Sequence, residues 1–293
     1  MHNDPSHPKS RPLRAALSAC FAVSMSACAG APEGSSTGGA AMFVDATPAA
    51  PATRGHTLFA DYSDNRLVEV DGRGDQVWSL DEIYGAWDAE RLESGNTLLV
   101  EFSVSRVREV DASGATVWSY EDLKNPYAAS RLADGTTLIA NTFGGDVRVV
   151  DRAGAVVWKY DEGIRAFDVE QTDAGTFLIC DVLHDRVIEV DRDKQIVWQV
   201  SGMPNAHDAD RLPNGNTLIT LRNRGEAVEV DRDGRRVWTL KGLISPSDAD
   251  RLPNGNTLVA QNTRVAEYDP EGEVVWQRDT TWCVEASRLP SSR

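Results

Sequence analysis

The sequence predicts an all-β fold, a six-bladed β-propeller with four antiparallel strands per blade, and three observations carry that prediction. A Val-Trp pair recurs at Val77-Trp78, Val117-Trp118, Val157-Trp158, Val197-Trp198, Val237-Trp238 and Val275-Trp276, in steps of 40 residues with a last step of 38. Each copy reads as four short runs separated by turn residues, with no sustained helical period. The chain joins the pattern at Gly55-His56-Thr57-Leu58, which aligns with a second strand, and leaves it at Arg288-Leu289-Pro290, the end of a first strand. The two ends therefore complete one blade between them and leave little unpaired sheet edge. A linear solenoid would need polar capping repeats, which the pattern lacks.

Residues 1–27 read as a lipoprotein signal peptide. Lys9, Arg11 and Arg14 precede the small apolar run from Ala15 to Ala27, which is too short to span a bilayer. Met25-Ser26-Ala27-Cys28 resembles the bacterial lipobox, so Cys28 is the expected lipidated residue. Leu17-Ser18-Ala19-Cys20 matches better letter for letter but would leave almost no apolar segment after Arg14. Ordinary cleavage at Ala27-Cys28-Ala29 would instead release a soluble protein. Both readings export the protein. The lipid-anchored one places it in the bacterial cell envelope, on the periplasmic side of the outer membrane, with the membrane touched through the anchor alone. Residues 28–54, dominated by Ala, Gly, Ser, Thr and Pro, cannot build a core and read as a flexible tether.

Residues 55–293 form the propeller domain. In its clearest copy the strands are Asp208 to Leu212, Thr217 to Leu221, Ala227 to Val230 and Arg236 to Leu240, joined by Pro213-Asn214-Gly215-Asn216 and Asp231-Arg232-Asp233-Gly234. Proline pre-sets the first turn and glycine supplies a positive φ, so both turns suit tight hairpins. The chain is acidic: 45 Asp and Glu stand against 30 Lys and Arg, a net charge of −15. That leaves no basic face for phosphate backbones and excludes nucleic acid as a partner. The chain has four cysteines; Cys180 and Cys283 fall three blades apart, too far for a disulfide, and read as free thiols.

Features that recur in every copy read as architecture, and those that break the repeat as candidate function. The acidic residue early in the first strand, Asp88, Asp168, Asp208, Asp248 and Glu285, occurs in five of six copies and is expected to accept backbone hydrogen bonds. The loop into the first strand and the loop between the second and third share one face, around the channel mouth. The first set reads Trp87, Tyr127, Phe167, His207, Ser247 and Val284, with Trp282 close by; the second offers Tyr62, Phe143, His184, Arg222, Arg224 and Arg264. Aromatic surface, two imidazoles and several guanidiniums suit a small, flat, aromatic or anionic ligand. The alternative is that the aromatics fill the blade tops and the histidines are solvated. A further ring, Asp61, Glu101, Asn141, Asp181, Leu221 and Gln261, ends the second strands and offers oxygens to a hard cation. Solvated strand ends explain it without a metal, and none is assigned.

The run His207-Asp208-Ala209-Asp210-Arg211-Leu212-Pro213-Asn214-Gly215-Asn216-Thr217-Leu218-Ile219 resembles the histidine-bearing strand of the bacterial arylsulfotransferases, six-bladed periplasmic propellers that transfer sulfuryl groups between phenols through a sulfohistidine. The resemblance implies that His207 is the active-site histidine and that Arg222 or Arg224 clamps the sulfate; the chemistry also needs an acid for the leaving phenolate, a role that falls to His184. Trp87, Tyr127 and Phe167, with Arg264 and Trp282, would then bind the aryl substrate. The family has several channel histidines and an extra N-terminal β-domain, which this chain lacks. The Val-x-x-x-Asp-x-x-Gly pattern followed by Val-Trp also resembles quinoprotein-type repeats, whose cofactor-binding members have eight blades; no cofactor is expected here. Propeller lipoproteins that assist outer-membrane protein assembly share the repeat style without catalysis, and lactonase-like propellers supply a metal-dependent hydrolytic alternative. The partner is thus a small ligand at the mouth or an envelope protein, and a monomer is expected.

Overall fold

The computed structural model describes residues 54–289, so the signal peptide, Cys28 and all but the last residue of the tether lie outside the described residues. Twenty-four strands form six four-stranded antiparallel sheets. Blade 1 takes its innermost strand from the C-terminal segment, Cys283–Arg288, followed by Thr57–Asp61, Arg66–Val70 and Gln76–Leu80. Blades 2 to 6 follow in chain order, opening at Ala86, Ala128, Ala166, Ala206 and Asp248. The closure expected from the sequence is present: Thr57 pairs with Arg288, Phe59 with Ala286 and Asp61 with Cys283 across a bulge.

The second strand of every blade is buried throughout, as in Thr97–Glu101 and Phe177–Asp181. These segments read as nearly continuous apolar runs because a blade is covered on both faces by its neighbours. The turns follow the expected chemistry. Gly215 sits at φ +87°, and the Asp231 carboxylate accepts from the amides of Asp233 and Arg235, each at 2.9 Å. Blade 4 departs in the second of these turns: Lys194 stands where blade 5 has Gly234, in the same left-handed region at φ +68°.

A clasp absent from the sequence expectations joins five of the six blade interfaces. The arginine ending the first strand reaches back to the preceding blade, pairs with a glutamate on its third strand and stacks on its Val-Trp tryptophan. Arg211 lies 2.7 Å from Glu189 and 4.4 Å above the Trp198 ring. Arg91, Arg131, Arg251 and Arg288 do the same with Glu69 and Trp78, Glu109 and Trp118, Glu229 and Trp238, and Glu267 and Trp276. Between blades 3 and 4 the clasp is replaced. Gln171 stands for the arginine and Val149 for the glutamate, and Phe177 fills the space, 4.4 Å from the Trp158 ring. The six tryptophans therefore pack at seams between blades. Cys180 and Cys283 are buried free thiols.

Ending the chain at Cys283 removes the partner of Thr57–Asp61 and is expected to abolish cooperative thermal unfolding; an unchanged melting curve would contradict the closure. Arg211→Met should cost ~1–3 kcal/mol in chemical denaturation, since it removes one of the two arginines paired with the buried Glu189 and uncovers Trp198, whereas Gln171→Met should change stability little.

Candidate functional site

Bulges in the first strands aim the mouth residues. In blade 5, Ala206 faces Leu221 and Ala209 faces Ile219, so His207 and Asp208 share the space of one partner residue. The same irregularity recurs at Phe167-Asp168 and at Trp87. A bulge bends the strand and redirects its side chains, here toward the channel axis. The resulting cavity is about 320 Å³ and is walled by Trp87, Tyr127, Phe167 and His207 at the mouth and by carboxylates below.

The rings touch one another around the mouth. Trp87 and Tyr127 lie 4.2 Å apart, Tyr127 and Phe167 4.6 Å, and Phe167 and His207 5.2 Å. Tyr62 meets Trp282 at 5.1 Å and Trp87 at 5.2 Å. Phe102, which the sequence reading passed over, packs on Trp87 at 5.1 Å and on Tyr127 at 5.4 Å. It directly follows a second strand, as Tyr62 and Arg222 do, and aligning that single position across the six copies would have found it.

His207 is buried. Its Nδ1 lies 2.9 Å from the carbonyl of Ser247, which can only accept, so Nδ1 carries the proton and Nε2 is left as a lone-pair acceptor. Burial first, and then the nearby Arg222 charge, lower its pKa to about 3, so the ring is neutral at any physiological pH. Arg222 is tied down, donating to the Ser245 carbonyl at 3.1 Å, the Ser247 hydroxyl and Asn262 Oδ1 at 2.7 Å. Trp282 lies 6.0 Å from its guanidinium.

The other candidates sit apart from this group. His184 is exposed and bonds Asp181 at 2.7 Å. Arg224 is exposed. Arg264 lies within a third strand and bonds Gln277 and the Tyr268 hydroxyl. The ring closing the second strands holds the loops of its own blades: Asp61 accepts from the amides of Thr281 and Trp282, Asp181 from Arg165, and Gln261 from Ile244. Glu101 accepts from the Tyr84 amide and from Arg106, and Asn141 from the Lys124 amide.

The first-strand carboxylates line the channel in two tiers. Asp88, Asp168, Asp208 and Asp248 each accept the amide of Ala129, Ala209, Ala249 or Ala286 in the next blade, at 2.7 to 3.3 Å, which is the backbone role expected of them. Glu285 occupies the same tier. Two residues along, on the same strand face, come Glu90, Glu170, Asp210 and Asp250. Burial, reinforced at most positions by repulsion among the carboxylates, raises Asp88 and Asp168 to about 7, Glu170 to about 8 and Asp250 to about 6. The same causes hold Asp208, Asp210, Asp248 and Glu285 well above the usual carboxyl range.

Fold and repeat define the class: a closed six-bladed propeller of quinoprotein-like repeats. The family model described as outer membrane protein assembly factor BamB matches residues 143–289, and the chain belongs to that family. No curated protein matches the sequence. Among solved structures, a protein of unknown function from Bacteroides caccae is similar at 18% identity, with 80% of this chain and 98% of that one covered and a TM-score of 0.69. Virginiamycin B lyase from Staphylococcus aureus is similar at 7% identity, 78% and 85% coverage and a TM-score of 0.58. A chain of the nidogen/laminin complex gives 14%, 81% and 99%, with a TM-score of 0.65. At these identities the likeness is one of fold.

The raised carboxyls fix the sign of the pH response. The native state holds protons that the unfolded chain releases, so their stabilisation is complete below about pH 4 and is lost as the pH rises through about 6–8. Asp71 and Asp111, lowered by hydrogen bonds from their turns, act oppositely and only at more acidic pH. Scanning calorimetry should find the melting temperature about 5 °C higher at pH 5 than at pH 8; a flat or rising profile would contradict this.

Proposed function

We propose that the protein is a non-catalytic propeller of the bacterial envelope, exported and lipid-anchored through Cys28, that binds a partner at its aromatic mouth. One observation carries the reading. Eight rings from five blades, Trp282, Tyr62, Trp87, Phe102, Tyr127, Phe143, Phe167 and His207, form a chain of contacts at one end of the channel, and Phe143 is half exposed. Six of the other rings are half-buried and His207 is buried, so the rings form a contiguous, partly exposed aromatic surface, which suits a binding site. The family's description as an outer membrane protein assembly factor favours an extended segment of another envelope protein as the guest.

Sulfuryl transfer draws less support. It needs a nucleophile, a free cation for the sulfate oxygens and an acid for the leaving group. The Arg222 donors are engaged by Ser245, Ser247 and Asn262, and His184 is held by Asp181. The arylsulfotransferase-like reading retains one favourable observation, the neutral His207 with an acceptor Nε2.

Titrating the purified protein with a peptide of alternating aromatic and polar residues should quench tryptophan fluorescence saturably. Trp87→Ala with Tyr127→Ala should weaken binding by roughly tenfold or more; absence of quenching would overturn the binding reading. Release of phenol from p-nitrophenyl sulfate, lost in His207→Ala, would establish the enzymatic reading instead. Cys28→Ala should move the protein from the membrane fraction to the soluble fraction; a wild type already soluble after export would show that no anchor forms.

A further inference from the structure

We propose that the axial cavity takes an organic cation, a protonated amine or guanidinium on an apolar stem, with the stem among Trp87, Tyr127 and Phe167 and the charge directed at His207 and the carboxylates beneath. The proposal deepens the binding reading above and rests on it.

Three features of one cavity converge on that chemistry. The first is the aromatic wall, whose ring faces attract a cation most strongly where water is displaced. The second is His207, 6% exposed, which lines the cavity and whose Nε2 has no hydrogen-bond partner among the described residues. Fixed as an acceptor by the Nδ1 bond to Ser247, that atom selects a donor and disfavours an anion. The third is a set of side chains below it: the carboxylates of Asp210, Asp250 and Glu285 face the cavity with no hydrogen bond among the described residues.

The balance of charge agrees. Asp88, Asp168, Asp208 and Asp248 complete the first tier, and Glu90 and Glu170 the second. Against them stand Arg91 and Arg288 at the far end of the cavity and Arg222 at the mouth. Arg91 and Arg288 are paired with Glu69 and Glu267, as Arg131, Arg211 and Arg251 are paired with glutamates of their preceding blades. Of the arginines that suggested an anionic ligand, Arg222 and Arg264 are already engaged, and Arg224 is exposed and does not line the cavity. At about 320 Å³ the cavity stands at the small end of ligand sites, sized for one small molecule or one side chain.

Cation binding is coupled to protons. Near neutrality several of these carboxyls are protonated, Asp88 and Asp168 titrating at about 7 and Glu170 at about 8. An entering ammonium group, itself charged up to about pH 10, stabilises their ionised forms, and the displaced protons pass to solvent. Binding therefore tightens from pH 5 to pH 8.

The test is calorimetric titration of the full chain with phenethylamine, phenethyl alcohol and 3-phenylpropionate at pH 5 and pH 8, in buffers of different ionisation heat. The amine should bind roughly tenfold or more tightly than the alcohol, more tightly at pH 8, and with buffer-dependent heat that reports proton release. Trp87→Leu should weaken it about tenfold; Asp210→Asn, which breaks no hydrogen bond, should reduce the protons released. Acetyl-Phe-Lys-amide distinguishes the source: binding of this peptide but not the amine assigns the cation to a partner's side chain, and the reverse to a free ligand. Equal or tighter binding of the alcohol or the propionate, or no binding of the amine or the peptide, overturns the proposal. If the aromatic peptide still quenches fluorescence in that case, the mouth remains a binding site and only the cationic guest is lost.

Discussion

A blade of this protein is a sheet with two apolar faces, and neither can leave water except against another blade. That requirement governs the rest of the structure. It makes the second strands apolar on both sides, it forces the ring to close through Cys283–Arg288 and Thr57–Asp61, and it places the six first strands around an axis. Once there, their inner edges need hydrogen-bond partners, and the carboxylates of Asp88, Asp168, Asp208 and Asp248 supply them from the adjacent blade. The acidic channel is thus a consequence of joining blades edge to edge.

The mouth arises where the repeat is broken. Five blades contribute rings to it, while blade 6 offers Ser247, whose carbonyl fixes the tautomer of His207 and whose hydroxyl receives Arg222. A neutral imidazole beside an immobilised guanidinium is a poor catalytic pair but a well-defined hydrogen-bonding site. Its polarity is set by backbone and loop contacts that no guest needs to supply.

Most of the fold was legible because the Val-Trp pair and the Asp-x-x-Gly turn act locally: Asp231 needs only the amides of Asp233 and Arg235. The clasp was not, since Arg211, Glu189 and Trp198 are individually unremarkable surface residue types whose meeting depends on how blades stack. The site was legible by position and obscure by partner. Trp87, Tyr127, Phe167 and His207 converge as the loop alignment suggested, whereas the engagement of Arg222 by Asn262 and of His184 by Asp181 depends on side-chain reach. Asp210 and Asp250 were within reach of the strand period, which puts them on the same face as Asp208 and Asp248.

The seam between blades 3 and 4 gives the ring an uneven response to temperature. Five seams combine apolar contact with an arginine–glutamate pair, but this one relies on Phe177 against Trp158, with Val149 and Gln171 where the charges would be. Apolar stabilisation weakens on cooling, while paired charges do not share that dependence. Cold therefore loosens the circle first at this one seam, away from blade 1, within whose sheet the chain's two ends are fastened together.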